Sequence, residues 1–227
     1  MQPVTAVIKR RISTRAFLPT PLSRAQVHEI LEVARWAPSG GNMQPWKVIV
    51  TAGAAAQELK DFALAKVGHD HRLTEEGDRP MYPAEVWEPY RSRRFKVGED
   101  MYAKMGIPRE NRPARLAHVA NNFRAFGAPV LLFFIIDRRM GHGQWAHLGM
   151  FMQTIALAAE ERGVQSCMQE VWMRIRESLH ARFKLEPTEM IYCGMALGYA
   201  DTSAPVNSLR SDRAPVEEFA TFAGFSD

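Results

Sequence analysis

A short basic motif near the N-terminus is the first group of residues that could do chemistry. Arg11, Ser13 and Arg15 lie close together, directly after a segment of helical character. Two guanidinium groups and a hydroxyl supply several charge-assisted donors at once, as a phosphate group requires. A solvated basic helix end has the same composition, because arginine side chains are ordinarily exposed. Taken alone, the motif leaves phosphate binding and simple solvation open.

A second motif, rich in glycine and small polar residues, occupies positions 38–46. The adjacent Gly40 and Gly41 allow a backbone to approach a ligand closely. Proline, tryptophan and compact hydrogen-bonding residues surround this pair: Pro38, Ser39, Asn42, Gln44 and Trp46. A turn between a helix and a strand uses similar residues. By itself, the motif is compatible with both a ligand-binding wall and a turn.

Aromatic and basic residues are concentrated between positions 82 and 94. Tyr82, Trp87 and Tyr90 are close in sequence, with arginines among and after them. Such a segment could form a lid that stacks an aromatic substrate while its arginines attract a carboxylate. Alternatively, it is an insertion whose aromatic side chains pack on the surface. It belongs to a longer stretch, 68–115, that interrupts the regular pattern, and loops of this length are usually functional or disordered.

Composition limits the classes of function. A chain of 227 residues with 46% hydrophobic and 24% charged residues is typical of a single soluble globular domain. Its longest apolar run, 130–136, is too short to span a bilayer, and the N-terminus lacks a secretory signal. We therefore expect a cytoplasmic protein without a membrane partner. The net charge of +4 permits anionic ligands, but dispersed arginines accompanied by acidic residues do not indicate nucleic acid.

Cysteines and histidines do not form a metal-binding pattern. The two cysteines, Cys167 and Cys193, are expected to be reduced and buried, because a chain without a signal peptide rarely carries a disulfide. Solvated or structural roles are expected for the histidines at the positions where a metal site could be sought: His69, His71, His142 and His147. No metal is predicted.

Periodicity and capping signals place these motifs between helices and strands. A helix is predicted over Val4–Arg10, and a second begins at Ser23, which forms a capping box with Gln26. Further helices are predicted over 54–67, 116–126, 144–162 and 172–183, and strands over 47–51, 130–136, 165–168 and 190–197. Gly163 is expected to end the long helix before it. Alternating helices and strands indicate one mixed sheet flanked by helices, of class α/β or α+β.

A dinucleotide-binding alternative rests on the segment Gly141-His-Gly143-Gln-Trp-Ala146. It has the spacing G-x-G-x-x-A, follows a predicted strand and opens a predicted helix. However, four residues separate the strand from the first glycine, whereas the turn of a Rossmann unit is tighter. This interpretation also leaves both N-terminal motifs unexplained, and we disfavour it.

The two N-terminal motifs, in this order and spacing, resemble the FMN-dependent nitroreductase family. The second reads Ala34-Arg-Trp-Ala-Pro-Ser-Gly-Gly-Asn-Met-Gln-Pro-Trp46. Phe126-Gly-Ala-Pro129 and the closing Asn207-Ser-Leu-Arg-Ser-Asp-Arg213 also have counterparts in the family. The stretch 82–107, with Tyr90-Arg-Ser-Arg-Arg94, is similar to the nitrobenzoate-reductase branch. The resemblance covers nearly the whole chain and implies an α+β fold in one domain, 1–227, with an insertion or lid at about 68–115.

The resemblance implies a bound FMN, with NADH or NADPH as electron donor and a small nitroaromatic acceptor, in a ping-pong two-electron reaction. Arg11 and Ser13 would contact the FMN phosphate and ribityl chain, and Arg210 and Arg213 would complete the phosphate site. Arg15 would lie near the pyrimidine edge of the flavin, where a cation favours the negatively charged reduced cofactor. Because the cofactor carries the chemistry, no side chain is assigned as a catalytic acid or base.

The resemblance also implies an intertwined homodimer with the helix 144–162 at its interface. The glycine-rich motif would then line the partner's flavin, with its cofactor-binding residues at Pro38, Ser39, Gly40, Gly41, Asn42 and Gln44. Backbone N–H groups at Glu170 and Val171 would face flavin N5, and an asparagine contact to the ring falls on Asn121 or Asn122. The acceptor would meet Tyr82, Trp87 and Tyr90. Quinone or ene reduction, reductive dehalogenation, flavin fragmentation and a non-catalytic flavin-binding module remain alternatives on this scaffold.

Overall fold

The fold is built on a four-stranded sheet whose neighbouring strands all run antiparallel. The structure is a computed structural model that describes residues 3–67 and 82–225; His69 and His71 lie outside the described residues. The strands are β1 (Lys47–Ala52), β2 (Val130–Asp137), β3 (Gln165–Gln169) and β4 (Glu189–Gly198), in the order β1-β2-β4-β3. Parallel pairing in the described chain is limited to a bridge between Ser13 and Ser166. The expected α+β class is confirmed. The expected mixed sheet is wrong for the described residues, because every pair of neighbouring strands in the sheet is antiparallel.

The two central strands are buried on both faces because helices cover the sheet on each side. Seven consecutive residues of β2, from Val130 to Ile136, are buried. Leu132 and Phe134 belong to one core with residues of the second and sixth helices, whereas Leu131 and Phe133 belong to the opposite core around Trp172. A continuous apolar run, without alternation, is what a strand between two covered faces requires.

Seven helices flank the sheet in the described residues. They are α1 (Val4–Arg10), α2 (Arg24–Ala34), α3 (Gly53–Val67), α4 (Tyr90–Lys104), α5 (Arg112–Ala120), α6 (His142–Glu161) and α7 (Arg176–Phe183). The capping box of α2 is confirmed, because Ser23 Oγ accepts from Gln26 N at 3.2 Å and Gln26 Oε1 accepts from Ser23 N at 2.9 Å. Gly163, with φ of 72°, follows α6 as expected. None of the described helices is long and apolar enough to cross a membrane.

Two predicted helices differ from those observed, and one observed helix was not predicted. The helix predicted over 116–126 instead covers Arg112–Ala120, and past its end Asn121 N and Asn122 N donate to the carbonyls three residues before them. Ala125 and Phe126 then take positive φ, so the helix does not resume before β2. The helix predicted over 172–183 is divided into a 3-10 segment, Glu170–Ile175, and α7. The stretch 68–115 contains α4, which the periodicity did not predict because none of its residues is buried.

The sheet topology excludes the dinucleotide-binding alternative. A Rossmann unit needs parallel strands joined by its helix, but β2 pairs antiparallel with both of its neighbours. Gly141 serves as the N-cap of α6, and Gly143 lies within that helix. The match to G-x-G-x-x-A therefore reflects an ordinary helix start.

Candidate functional site

Edge strand β3 and the end of β4 organise the N-terminal motif. Thr14 N donates to Ser166 O at 3.1 Å, so the motif runs beside β3. Two further backbone bonds hold the following residues against the segment after β4, from Leu18 N to Tyr199 O at 2.8 Å and from Asp201 N to Ala16 O at 3.0 Å. These hydrogen bonds fix the backbone that carries the side chains of Arg11, Ser13 and Arg15.

A buried asparagine joins the N-terminal motif to the C-terminal segment. Asn207 Oδ1 accepts from Arg15 N at 2.8 Å. Its Nδ2 donates to Ala16 O at 2.8 Å and to Asp201 O at 2.9 Å. An amide that satisfies both of its donors and its acceptor can be buried without penalty for unpaired polar atoms. This junction brings the segment with Arg210 and Arg213 beside Arg11 and Arg15.

The N-terminal segment 8–15, the C-terminal segment 209–213 and α4 enclose a cavity of about 380 Å³ with a strong excess of positive charge. Five cationic residues line it: Lys9, Arg11, Arg15, Arg210 and Arg213. The lining also includes two hydroxyl residues and four apolar ones, Ser13, Ser211, Ile8, Ile12, Val97 and Leu209, but no aspartate or glutamate. Within residues 3–67 and 82–225, none of the five cations forms an ion pair with a carboxylate. Such uncompensated charge fits a bound anion.

The arginines of this cavity are oriented by neutral oxygens of their own segments. Arg213 Nη1 donates to Ser211 O at 3.0 Å, to Ser211 Oγ at 2.7 Å and to Asp212 O at 2.7 Å. Arg15 Nη1 donates to Ser13 O at 3.1 Å. Each contact engages one nitrogen of a group that carries five N–H donors, so the others are available to a ligand.

The glycine-rich motif lies elsewhere on the chain and does not line this cavity. It forms a 3-10 turn, Gly40–Asn42, in which Gly41 has φ of 62°, and it continues with positive φ at Asn42 (52°) and Gln44 (47°). Ser39 Oγ accepts from Gln44 N at 2.9 Å and closes the loop. Positive φ at a residue such as glutamine is uncommon, and strain of this kind concentrates at functional sites.

The start of α6 holds this loop. Gly40 N donates to His147 Nδ1 at 3.3 Å, and Gln144 Nε2 donates to Gly40 O at 3.3 Å. A Cβ atom at Gly40 would lie 3.0 Å from His147 Cε1, so the close approach depends on glycine. His147 thus has the structural role expected from the sequence, and the rest of the loop presents Pro38, Gly41 and Asn42 to the outside of the chain.

Glu170 and Val171 begin a 3-10 segment directly after β3. Glu170 lies four residues beyond Ser166, the partner of Ser13 in the bridge, which is a separation of about 13 Å along an extended strand, and Val171 lies one residue further. Val171 is buried, and desolvation raises the pKa of the Glu170 carboxyl. The first N–H groups of a helical segment have no partner within it, so they are available to a ligand.

The turn with Asn121 and Asn122 adjoins the end of β3. Gln169, which is buried, donates from Nε2 to Asn122 O at 2.7 Å and accepts from Trp172 Nε1 at 3.3 Å. The side chain of Asn122 donates to Val119 O at 3.0 Å. The backbone of Asn122 therefore lies beside Gln169, the residue before Glu170, and neither asparagine is singled out as a ligand.

The predicted substrate residues are exposed at the start of α4 and just before it. Trp87 and Tyr90 pack edge to face, with ring centroids 5.5 Å apart. The guanidinium of Arg94 lies 4.2 Å from the ring centroid of Tyr82. None of these residues lines the cationic cavity, but Val97 of the same helix does. The single chain thus places α4 at the cavity without bringing the aromatic cluster into it.

Sequence reasoning missed several residues near the cavity. Lys9 directly precedes the arginine pair, a signal that was present, whereas Val97 lies on a helix that was not predicted. His118 is buried between Tyr102 and Phe126, at centroid distances of 5.9 and 5.8 Å. Burial and then the charge of Arg15 lower the pKa of His118, which favours its neutral form.

Both cysteines are free and buried, as predicted. Burial raises the pKa of the Cys167 thiol to about 11, although Arg15 and Arg11 act in the opposite direction.

Comparisons with known proteins agree with this arrangement. The sequence profile of the Nitroreductase family matches residues 8–199. A 4-nitrobenzoate reductase from Pseudomonas putida is 38% identical over 222 residues, 97% of this chain and 95% of that protein. A crystal structure of the FMN and NADPH-dependent nitroreductase NfnB from Sphigopyxis sp. strain HMH superposes with a TM-score of 0.93 and 38% identity, covering 99% of this chain and 100% of that one. The FMN-dependent nitroreductase NfnB from Mycobacterium smegmatis, solved in complex with NADPH, has a TM-score of 0.89 and 29% identity over 97% of each chain. This chain belongs to the nitroreductase family.

Proposed function

We propose that the chain is an FMN-dependent NAD(P)H oxidoreductase that reduces nitroaromatic compounds, possessing one domain over 1–227. The observation that carries this proposal is the cavity with five cations and no carboxylate. It fits the phosphate of FMN, because several guanidinium donors converge where no side-chain anion competes. Two nitroreductases similar over nearly the whole chain, one described as FMN and NADPH-dependent and one solved with NADPH, support the choice of cofactor and donor.

The residues of the cavity divide the work of holding the cofactor. Arg11 and Ser13 would contact its phosphate and ribityl chain, and Arg210 and Arg213 would complete the phosphate site. Arg15 would lie at the pyrimidine edge, where its charge stabilises negative charge that develops on the ring. When bound, FMN supplies two-electron transfer between the nicotinamide donor and the acceptor. The N–H groups of Glu170 and Val171, further along β3, would orient the reacting edge.

The glycine-rich motif and the dimer belong to the same proposal. We place the loop 38–44 against the flavin of a partner subunit, because on its own chain it lies apart from the cationic cavity. Large apolar side chains beside it are exposed, with Trp36 at 80%, Met43 at 53% and Met150 of α6 at 46%. Exposed apolar surface of this kind is typical of a protein interface. A homodimer with α6 at its interface would cover these residues and complete each site.

The acceptor would meet the aromatic and basic residues around the start of α4. Tyr82, Trp87 and Tyr90 offer faces for an aromatic ring, and Arg94 offers a charge for a carboxylate. A nitrobenzoate fits this pattern, and the relative from Pseudomonas putida is a 4-nitrobenzoate reductase. The competing interpretation, an insertion that packs on the dimer surface, predicts no change in acceptor KM when these residues are replaced.

A cytoplasmic location is in keeping with two reduced thiols.

The decisive experiment mixes the purified protein with NADPH, and separately with NADH, in the absence of oxygen. We expect a yellow protein whose flavin absorbance bleaches within the turnover time and returns when 4-nitrobenzoate is added. A protein that neither contains nor takes up FMN would overturn the cofactor assignment. Bound FMN that the nicotinamides do not reduce would indicate a flavin-binding module. If the flavin absorbance returns faster with a quinone, an activated alkene or a halophenol than with 4-nitrobenzoate, the preferred acceptor would belong to that other class.

A further inference from the structure

Helix α4 has no buried residue, so polar contacts and partial apolar packing have to hold it in place. Near its C-terminal half, Glu99 accepts from both terminal nitrogens of Arg115 on α5, at 2.6 and 2.9 Å. In its middle, the contacts go instead to the C-terminal segment, across a small cleft between α4 and residues 211–218. This second set of contacts reaches the segment that carries Arg213.

Two ion pairs cross this cleft. Lys96 Nζ lies 2.8 Å from Asp212 Oδ2, and Arg93 Nη2 lies 2.5 Å from Glu218 Oε2. Lys96 also pairs with Asp100 on its own helix, at 2.6 Å, so it is held from both sides. The hydrogen bond and charge of Lys96 lower the pKa of Asp212, as an ion pair between them requires.

The contact at Asp212 bears directly on the cationic cavity. The carbonyl of Asp212 accepts from Arg213 Nη1 at 2.7 Å, together with both oxygens of Ser211. The position of Asp212 therefore sets the position of the Arg213 guanidinium. Because Lys96 holds the side chain of Asp212, a continuous series of contacts leads from α4 through Asp212 to Arg213 at the cavity.

We propose that α4 is a cofactor-retaining helix, in which Lys96 and Arg93 are positioning residues that hold Arg213 for the FMN phosphate through Asp212 and Glu218. The inference rests on the proposed function, since it requires FMN in the cationic cavity. It assigns the insertion a role that is separate from contact with the acceptor. The same helix begins at the aromatic cluster and passes the phosphate site at Val97, so it links the acceptor end to the cofactor end.

Exposed ion pairs contribute modestly, so the expected effects are small but measurable. Lys96→Gln, which removes the pairs with Asp212 and Asp100, should raise the Kd for FMN about two- to fivefold. Arg93→Glu, which opposes Glu218 with a like charge, should raise it about five- to tenfold. The matched control is Arg91→Gln. It removes an ion pair at the start of the same helix, between Arg91 and Glu88 of the preceding turn at 2.7 Å, that does not reach the C-terminal segment.

The test titrates FMN into the cofactor-free protein, with riboflavin as a second ligand that lacks the phosphate. Arg93→Glu and Glu218→Arg should each weaken FMN binding, and the double exchange should restore it to within about twofold of wild type. Riboflavin affinity should not change in any variant, because the tether acts through the phosphate contact. At saturating FMN, turnover should match that of wild type.

Each outcome decides a separate claim. Equal weakening of riboflavin and FMN, or no recovery in the double exchange, would overturn the positioning role in favour of a general loss of structure. If wild type binds FMN and neither single variant changes the Kd for FMN, the role of the ion pairs between α4 and residues 211–218 would be overturned, while the proposed function would stand. Failure of the wild-type protein to bind FMN would overturn the proposed function itself. Hydrogen exchange of the cofactor-free protein gives an independent check: amides of 209–218 should exchange faster in Arg93→Glu than in Arg91→Gln, and equal rates would contradict the tether.

Discussion

The ion pair between Arg10 and Glu160 joins α1 to α6 just before the cationic motif begins. Arg10 Nε donates to Glu160 Oε1 at 2.5 Å, and Arg10 Nη2 donates to the backbone oxygen of Glu160 at 2.8 Å. The two side chains differ in exposure, at 41% for Arg10 and 5% for Glu160. Removing the arginine leaves a buried carboxylate behind, whereas removing the carboxylate leaves an arginine that reaches water. The two losses should therefore be unequal.

The magnitude follows from this asymmetry. Removing one partner of a fully buried ion pair costs about 3–5 kcal/mol. Because Arg10 is partly exposed and screened, we expect Arg10→Ala to lower the free energy of unfolding by about 2–3 kcal/mol. Glu160→Gln retains an acceptor for the guanidinium and should cost about 1 kcal/mol. For a chain of this length, about 2–4 °C per kcal/mol gives a decrease in Tm of about 4–12 °C for Arg10→Ala.

Urea unfolding of the cofactor-free protein, at one fixed protein concentration, measures both changes. The control is Arg35→Ala, which breaks an exposed pair with Glu32, at 62% and 49% exposure, and should leave the midpoint unchanged. The slope of the unfolding free energy against urea should be the same in all variants. A Glu160→Gln protein less stable than Arg10→Ala would refute the argument from unequal burial.

Three further predictions test the core, the thiols and a charged pair of the sheet. Gly194→Ala places a Cβ atom 2.4 Å from Trp172 Cδ1 and should cost about 1–3 kcal/mol in urea unfolding, whereas Gly98→Ala, with no atom within 4 Å, should be neutral or stabilising. Burial raises the pKa of both cysteine thiols, to about 11 and about 12, so a thiol reagent at pH 8 should modify the native protein far more slowly than the unfolded one; equal rates would contradict their burial. The hydrogen bond from Lys47 lowers the pKa of Glu189 below its ordinary 4.5, so the pair stabilises above that pH and its contribution is lost as pH falls through the lowered value. The stability difference between wild type and Glu189→Gln should accordingly shrink on acidification below pH 4.5, and a difference that grows would show that the pair is not its source.

The strands and helix ends were predictable because their signals are local. The apolar run of β2, the capping box at Ser23 and the glycine at 163 each depend on neighbours within a few residues. Helix α4 was not predictable on the same basis, since it has no apolar stripe and no side-chain cap. Its supports, Asp212, Glu218 and Arg115, lie on distant segments.

The residue types of the candidate site were visible in the sequence, but their grouping was not. Arg11, Ser13 and Arg15 form a readable motif, and Arg213 was added through the family resemblance. Their common cavity depends on Asn207, whose amide bonds Arg15 and Ala16 across the chain. A hydrogen bond of this separation has no periodic signature, so composition and spacing could not predict it.

By itself, the sequence determined that β2 is a buried strand, where α1, α2 and α3 begin, and that a basic motif suited to a phosphate is present. The tertiary structure decided the antiparallel order of the strands, the meeting of the N-terminal and C-terminal arginines, and the separate position of the loop 38–44. The physical reason is that periodicity records the contrast between core and solvent along one element. Which elements become neighbours depends on pairing register and on specific long-range hydrogen bonds, and these are formed only in the folded chain.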